Sequence, residues 1–229
     1  MKVPFKIRNI NLELESYTSL QEKDLLFLTM DDFSGKNILD LALDICKIPR
    51  KIISKLNEQE KKCVLYKLRE LSIGNEINIK FKCQKCGQRS ENFVNISNII
   101  KHPNLKHKSV IDNGKYNGGE IFDCLKGNYE EMFIDEYEKL KENIKNYITT
   151  FDFKKECICQ KCLFKNIIDI SDTKFIIDNL SEETLQSYYK TYNTLVFFGK
   201  YSKLDIDSMI PYERTIFLGL LENQLKDHN

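Results

Sequence analysis

Nothing in this sequence reaches the uninterrupted apolar length that a bilayer-spanning helix needs, and Met1-Lys2-Val3-Pro4-Phe5-Lys6 runs into polar sequence rather than a signal-peptide core. The expectation is a soluble protein made in the cytosol, without a membrane partner. A dominant charge sign is missing too: 35 Lys and Arg stand against 34 Asp and Glu, a formal charge of +1. That balance argues against a protein built mainly to coat phosphate backbones, although a local basic patch stays open. There is no tryptophan, and there are only four prolines and three histidines. His102 and His107 fall in a basic, turn-rich stretch and His228 near the C-terminus, so all three read as solvated surface. No Gly-rich phosphate loop, nucleophile elbow or carboxylate pair occurs, and the acidic run from Glu130 to Glu142 reads as the wet face of a helix. These absences weigh against an enzyme and against a small-molecule substrate.

Cysteine is present in quantity. Four of the eight form two copies of one tetrapeptide, Cys83-Gln84-Lys85-Cys86 and Cys159-Gln160-Lys161-Cys162. A Cys-x-x-Cys turn delivers two thiolates at the tip of a hairpin, and tetrahedral zinc wants four soft ligands, so two facing tips complete one closed site. Disulfides are the weaker reading in a chain of this length with no export signal. A redox role is weaker too, because neither Cys-x-x-Cys opens a helix after a strand. Cys157 precedes the second pair and could replace Cys159; matching the two tips favours Cys83, Cys86, Cys159 and Cys162 as the ligand set. With four protein ligands no position is left for water, so the zinc is expected to be structural. Gly87 after the first tip lets the backbone turn its amides toward sulfur, whereas Leu163 after the second predicts poorer sulfur hydrogen bonds. Cys46, Cys63 and Cys124 sit in apolar-patterned segments and read as core filler.

Along the chain, Phe5, Ile7, Ile10, Leu12 and Leu14, with near-alternation from Ile10 to Leu14, predict one short strand over residues 5 to 14, and Thr18 to Glu22 offers the caps of a helix over about residues 20 to 30. Asp31-Asp32-Phe33-Ser34-Gly35 breaks it, and a second apolar segment, Ile38 to Cys46, is stopped by Pro49. Asn57 and Glu60 form a capping-box pattern ahead of Val64, Leu65, Leu68 and Leu71, with Gly74 as a stop. Ile77, Ile79 and Phe81 then alternate as a strand into the first tip, Phe93, Val94, Ile96 and Ile99 return from it, and Ile167, Ile168 and Ile170 return from the second. Between the tips, Phe133, Tyr137, Leu140, Ile144 and Tyr147 predict an amphipathic helix inside an insertion. Helices follow over about residues 174 to 179, from Ser181 as N-cap, and behind Pro211. Leu195, Phe197, Phe198, Ile216, Phe217 and Leu220 are either core that closes this helical part or a surface for a protein partner. The expected fold is α+β, a mostly helical domain with a split zinc ribbon. Its parts are residues 1–76, a ribbon of 77–99 plus 152–171, an insertion at 100–151, and C-terminal helices at 172–229.

The helix ending Lys67-Leu68-Arg69-Glu70-Leu71-Ser72-Ile73-Gly74, the two tips, and the start Met209-Ile210-Pro211-Tyr212-Glu213-Arg214 together make a chain that resembles the baseplate hub and tail assembly proteins of T4-like contractile-tailed bacteriophages. The resemblance implies a non-enzymatic virion protein of the tail baseplate, assembled in the host cytoplasm. It would engage other tail and baseplate proteins, the tape-measure protein among the candidates. Lys80, Lys82, Lys85, Lys155, Lys161 and Lys165 around the tips keep an alternative open, a zinc-ribbon accessory factor that binds nucleic acid. Lysines on exposed strands also serve simply to block edge pairing.

Overall fold

The computed structural model describes residues 2–7, 10–30, 37–97, 99–101 and 150–227. The expected helix between Phe133 and Tyr147, the breaker after residue 30, Cys124 and the three histidines lie outside these residues. Within them the chain mixes helices with small antiparallel sheets, each of two strands. No described helix is long and apolar enough to cross a membrane.

The single strand expected over residues 5 to 14 is a hairpin. β1 (Lys2–Ile7) pairs antiparallel with β2 (Ile10–Glu15), with Ile7 opposite Ile10. The apolar positions shift from odd (Phe5, Ile7) to even (Ile10, Leu12, Leu14) across Arg8-Asn9, and that break in phase is the only local mark of the reversal. Leu12 and Leu14 face the core, and Glu13 and Glu15 face solvent. α1 (Ser19–Leu28) starts at Thr18, whose hydroxyl accepts from the Gln21 amide while the Gln21 side chain accepts from the Thr18 amide. Two amides left over at the helix start are thereby satisfied reciprocally. α2 (Ile38–Ile45) packs on α1 and on the central helix. Pro49, the expected stop, caps one further turn, α3 (Arg50–Ile53).

α4 (Glu58–Ser72) is the axis of the fold. Its Asn57–Glu60 capping box is made in both directions, at 3.0 and 2.9 Å. Val64, Leu65 and Leu68 are fully buried, and Gly74 takes a positive φ of 142° just past the helix end. The chain then turns into β3 (Glu76–Lys82), which pairs with β4 (Arg89–Asn95); Ile77, Ile79 and Phe81 point inward as the alternation required. Two short strands, β5 (Ile100–Lys101) and β6 (Thr150–Phe151), pair at the two ends of the segment that separates the tips. β7 (Lys154–Ile158) and β8 (Lys165–Asp169) form the second hairpin, and β4 lies beside β7. One buried apolar cluster runs from Ile7 through α1, α2 and α4 to Ile77, Ile79, Phe81, Val94, Phe153, Ile170 and Leu180. Both hairpins therefore rest on the same core as the helices.

The C-terminal part departs from expectation in two places. Ser181 does not cap a helix: its hydroxyl donates to Glu22 at 2.7 Å and accepts from the Glu183 amide. The helix starts one turn later as α6 (Leu185–Phe197) with Thr184 as cap, after α5 (Thr173–Asp178). The unpredicted α7 (Lys203–Ser208) uses a Ser202–Asp205 capping box, and α8 (Pro211–Asp227) follows Pro211 as expected.

Two buried arginines tie these helices to the rest. Arg69 donates to the carbonyls of Asn179 and Gly74 and to Glu182. Arg214 pairs with Glu22 at 2.7 Å and Glu183 at 3.3 Å, and stacks 4.7 Å from the Tyr188 ring centroid. The stretch from Asn179 to Glu183 is thus held from both sides, with the Tyr17 hydroxyl donating to the Leu180 carbonyl.

Candidate metal centre

Each tip is a tight turn between two strands. In the first, the Cys83 amide donates to the Gln88 carbonyl and the Gly87 amide to the Cys83 carbonyl, both at 2.9 Å; in the second, the Cys159 amide donates to Phe164 and the Leu163 amide to Cys159, both at 2.9 Å. Gly87 adopts φ 70° and Leu163 φ 57°. The leucine accepts the left-handed conformation that glycine enters freely, so its cost is backbone strain. The turn forms without a glycine, and the amides of Cys162 and Lys161 act to lower the Cys159 thiol, as that of Phe164 does for Cys162. The amides of Cys86 and Lys85 lower the Cys83 thiol in the same way.

The tips meet. The sulfurs of Cys83, Cys86, Cys159 and Cys162 all lie within 4.8 Å of one another, with Cys83 to Cys162 at 3.7 Å and Cys86 to Cys159 at 3.6 Å. A tetrahedral ion bound through four sulfurs at about 2.3 Å holds them about 3.8 Å apart. The donor set and its spacing therefore fit a soft divalent metal ion, and these four cysteines could hold one. Cys157 is outside the group, fully buried in the main apolar cluster, where burial pushes its thiol up. Cys46 and Cys63 are buried as well, and desolvation raises both thiols, Cys46 to about 12. Such thiols are inert packing groups.

The electrostatics favour thiolate at Cys83 and Cys159 and oppose it at Cys162. The Ser90 hydroxyl, then the amides of Cys162 and Lys161, hold the Cys159 thiol down at about 6. The Phe164 amide lowers Cys162, but burial and the sulfurs facing it outweigh this and push it up to about 12. Cys159 thus gives up its proton most readily, and the repulsion of further thiolates is what a bound cation would remove. Ser90 and Asn166, which touch the sulfurs of Cys159 and Cys83, went unmarked in the sequence; the only signal is a polar residue at an inward position of a return strand.

Beside the tips, an open pocket of about 540 Å³ is lined by Lys80, Phe81, Lys82, Arg89 and Glu91 among others. Of the other tip lysines, Lys165 is paired with Glu156 at 2.9 Å. The six apolar residues singled out in the C-terminal helices divide. Leu195 is fully buried with Ile206 and Leu221 in a second cluster, and Phe217 packs against it. Phe197 (66% exposed), Phe198 (62%), Leu220 and Ile216 face outward.

None of the curated proteins and none of the solved structures matches this chain with significance. Two family models do. The model described as baseplate hub assembly protein Gp51 C-terminal domain matches residues 180–226. The model described as T4 bacteriophage base plate protein matches residues 2–198, from β1 through the paired cysteine tips to the end of α6. That match takes in far more than half of the chain, which therefore belongs to the T4 bacteriophage base plate protein family.

Proposed function

We propose that this protein is a structural or assembly component of the phage tail baseplate hub, working by protein–protein contact and held together by a structural zinc ion on Cys83, Cys86, Cys159 and Cys162. The observation that carries the reading is the family match over residues 2–198, extended by the hub-assembly match over 180–226. Family membership favours a structural role over an enzymatic one. When bound, zinc supplies a charge that neutralises the thiolates and a rigid link between the hairpins. Four sulfur ligands suit zinc and leave it no open coordination position for catalysis.

The partners are other baseplate and tail proteins, with the tape-measure protein as one candidate. The docking surface is the outer side of α6 and α8, where Phe197, Phe198, Ile216 and Leu220 are exposed over a buried base of Leu195, Ile206 and Leu221. Affinity there comes from apolar burial and is nearly indifferent to salt. The competing reading, a nucleic-acid accessory factor, rests on the Lys80, Lys82 and Arg89 pocket. It requires binding that weakens steeply with salt, and the family match favours the baseplate.

A pull-down of the full chain from phage-infected cells, with metal analysis of the eluate, tests the proposal. It expects baseplate proteins retained at high salt and about one zinc per chain, the stoichiometry of a four-thiolate site. Recovery of polymerase or DNA in their place would overturn the baseplate reading. A metal-free eluate from protein prepared with zinc would overturn the zinc reading.

A further inference from the structure

The two knuckles repeat each other in their outer contacts as well as in their turns. Ser90 stands seven residues after Cys83, and Asn166 seven after Cys159. Each crosses to the opposite tip. Ser90, on β4, accepts from the Gln160 amide at 3.3 Å and donates to the Cys159 sulfur at 3.5 Å. Asn166, on β8, accepts from the Gln84 amide at 2.9 Å and places its side-chain nitrogen 3.8 Å from the Cys83 sulfur. The partners are equivalent on both sides: the residue after the first cysteine, and that cysteine itself.

Both side chains are buried, Ser90 at 7% exposure and Asn166 at 0%, so their polar atoms need partners inside the protein. The amide each accepts from decides its orientation. Because the Gln160 N–H occupies a lone pair of the Ser90 oxygen, the hydroxyl proton is free to point at sulfur. Because only the Asn166 oxygen can accept from the Gln84 N–H, its NH2 group must face the other way. That group also reaches the Phe164 carbonyl at 3.0 Å and the Cys157 carbonyl at 3.5 Å, which fix the amide plane.

We infer that Ser90 and Asn166 are paired positioning residues of the metal centre: each is carried by one hairpin and steadies a ligating thiolate of the other, so the site reaches full affinity only when the two hairpins are docked. The inference rests on the zinc reading and adds the groups that couple metal retention to hairpin docking. Hydrogen bonds to a thiolate stabilise its charge and fix its direction, and loss of such an outer contact commonly weakens a metal site on the order of 10- to 100-fold.

The test uses the full chain loaded with zinc, with transfer to a chromophoric chelator as the rate readout and the cobalt-substituted absorption spectrum as a probe of sulfur geometry. Ser90→Ala and Asn166→Ala should each release zinc roughly 10- to 100-fold faster and shift the cobalt bands. Ser90→Thr keeps the hydroxyl and should restore both, while Ser97→Ala, away from the tips, should change neither. Circular dichroism checks the fold, and if Asn166→Ala does not fold the Ser90 pair decides. Unchanged release in folded Ser90→Ala, equal losses in Ser90→Ala and Ser90→Thr, or a loss confined to one of two folded alanine variants would each overturn the crossed arrangement. Wild-type protein that takes up neither metal would overturn the zinc reading itself.

Discussion

At the scale of single residues, the two arginines in the quoted helix motifs anchor the fold. Arg69 and Arg214 are 2% and 1% exposed, and between them they hold Glu182, Glu183 and Glu22. A buried charge that loses its partner costs far more than the intact pair contributes, so Arg214→Met should destabilise by about 3–5 kcal/mol in urea unfolding. The penalty should also depend on pH. Burial raises the Glu22 carboxyl above its ordinary 4.5, and Arg214 is the main group that lowers it again. Without Arg214 the folded protein keeps a proton that the unfolded chain has already released. Stability therefore falls as pH rises from the ordinary carboxyl value through the raised one, and the penalty should be smaller near about pH 4 than near about pH 7. Equal penalties at both would contradict that account. Among the cysteines, Cys83→Ser or Cys162→Ser should yield protein that fails to stay soluble. Cys63→Ser should cost only about 1–3 kcal/mol, the penalty for burying a hydroxyl. Comparable solubility of all three would remove the ligand assignment.

At the scale of elements, the knuckles differ in one position. Gly87 and Leu163 occupy the same left-handed turn, and a Cβ on Gly87 would meet nothing closer than Lys82 Cε at 3.7 Å. The cost of Gly87→Ala is therefore conformational, about 1 kcal/mol, with no clash to add to it. Leu163 is 74% exposed and sits at φ 57°, so Leu163→Gly relieves strain while losing little packing. Set against the extra freedom of glycine in the unfolded chain, it should raise stability by about 0.5 kcal/mol. Thermal unfolding of the zinc-loaded variants should therefore move in opposite directions. On α8, exposed Ile216 and Leu220 are one turn apart, with Arg214 and Leu221 buried beneath. Ile216→Asp with Leu220→Asp should leave the fold intact and abolish co-purification of tail proteins if this face is the docking surface.

At the scale of the whole molecule, the two tips bracket the long stretch between β5 and β6 and close onto one core. Ile77, Ile79, Phe81 and Val94 of the first hairpin share that cluster with Ile170 next to the second. The metal is therefore expected to hold the tips while apolar burial holds the base of each hairpin. Chelation should speed hydrogen exchange at the tip amides, such as Gly87 and Leu163, and leave the α4 amides near Leu65 protected. Loss of α4 protection on chelation would mean that metal and core fold as one unit.

Local chemistry made much of this legible in advance. The capping boxes at Thr18 and Asn57, the alternation of Ile77, Ile79 and Phe81, and Pro211 ahead of the last helix each act within a few residues, so their signal is written where the element forms. The matched tetrapeptides named the four cysteines for the same reason. What depended on distant neighbours was not readable. Ser181 looks like a cap, yet it is drawn away by Glu22, a residue of α1. The reversal between Ile7 and Ile10 shows only as a shift of the apolar residues from odd to even positions, with no glycine or proline to mark a turn. Leu195 and Phe197 look alike in sequence, and only the packing of α6 on α7 and α8 buries one and leaves the other in water. The sequence alone determined which residue types gather at the tips and where α1, α4 and α8 begin. The tertiary structure decided that the tips meet, that Cys157 points into the core, and that Ser90 and Asn166 cross between them, because each of these depends on side chains brought together from opposite ends of a long connection.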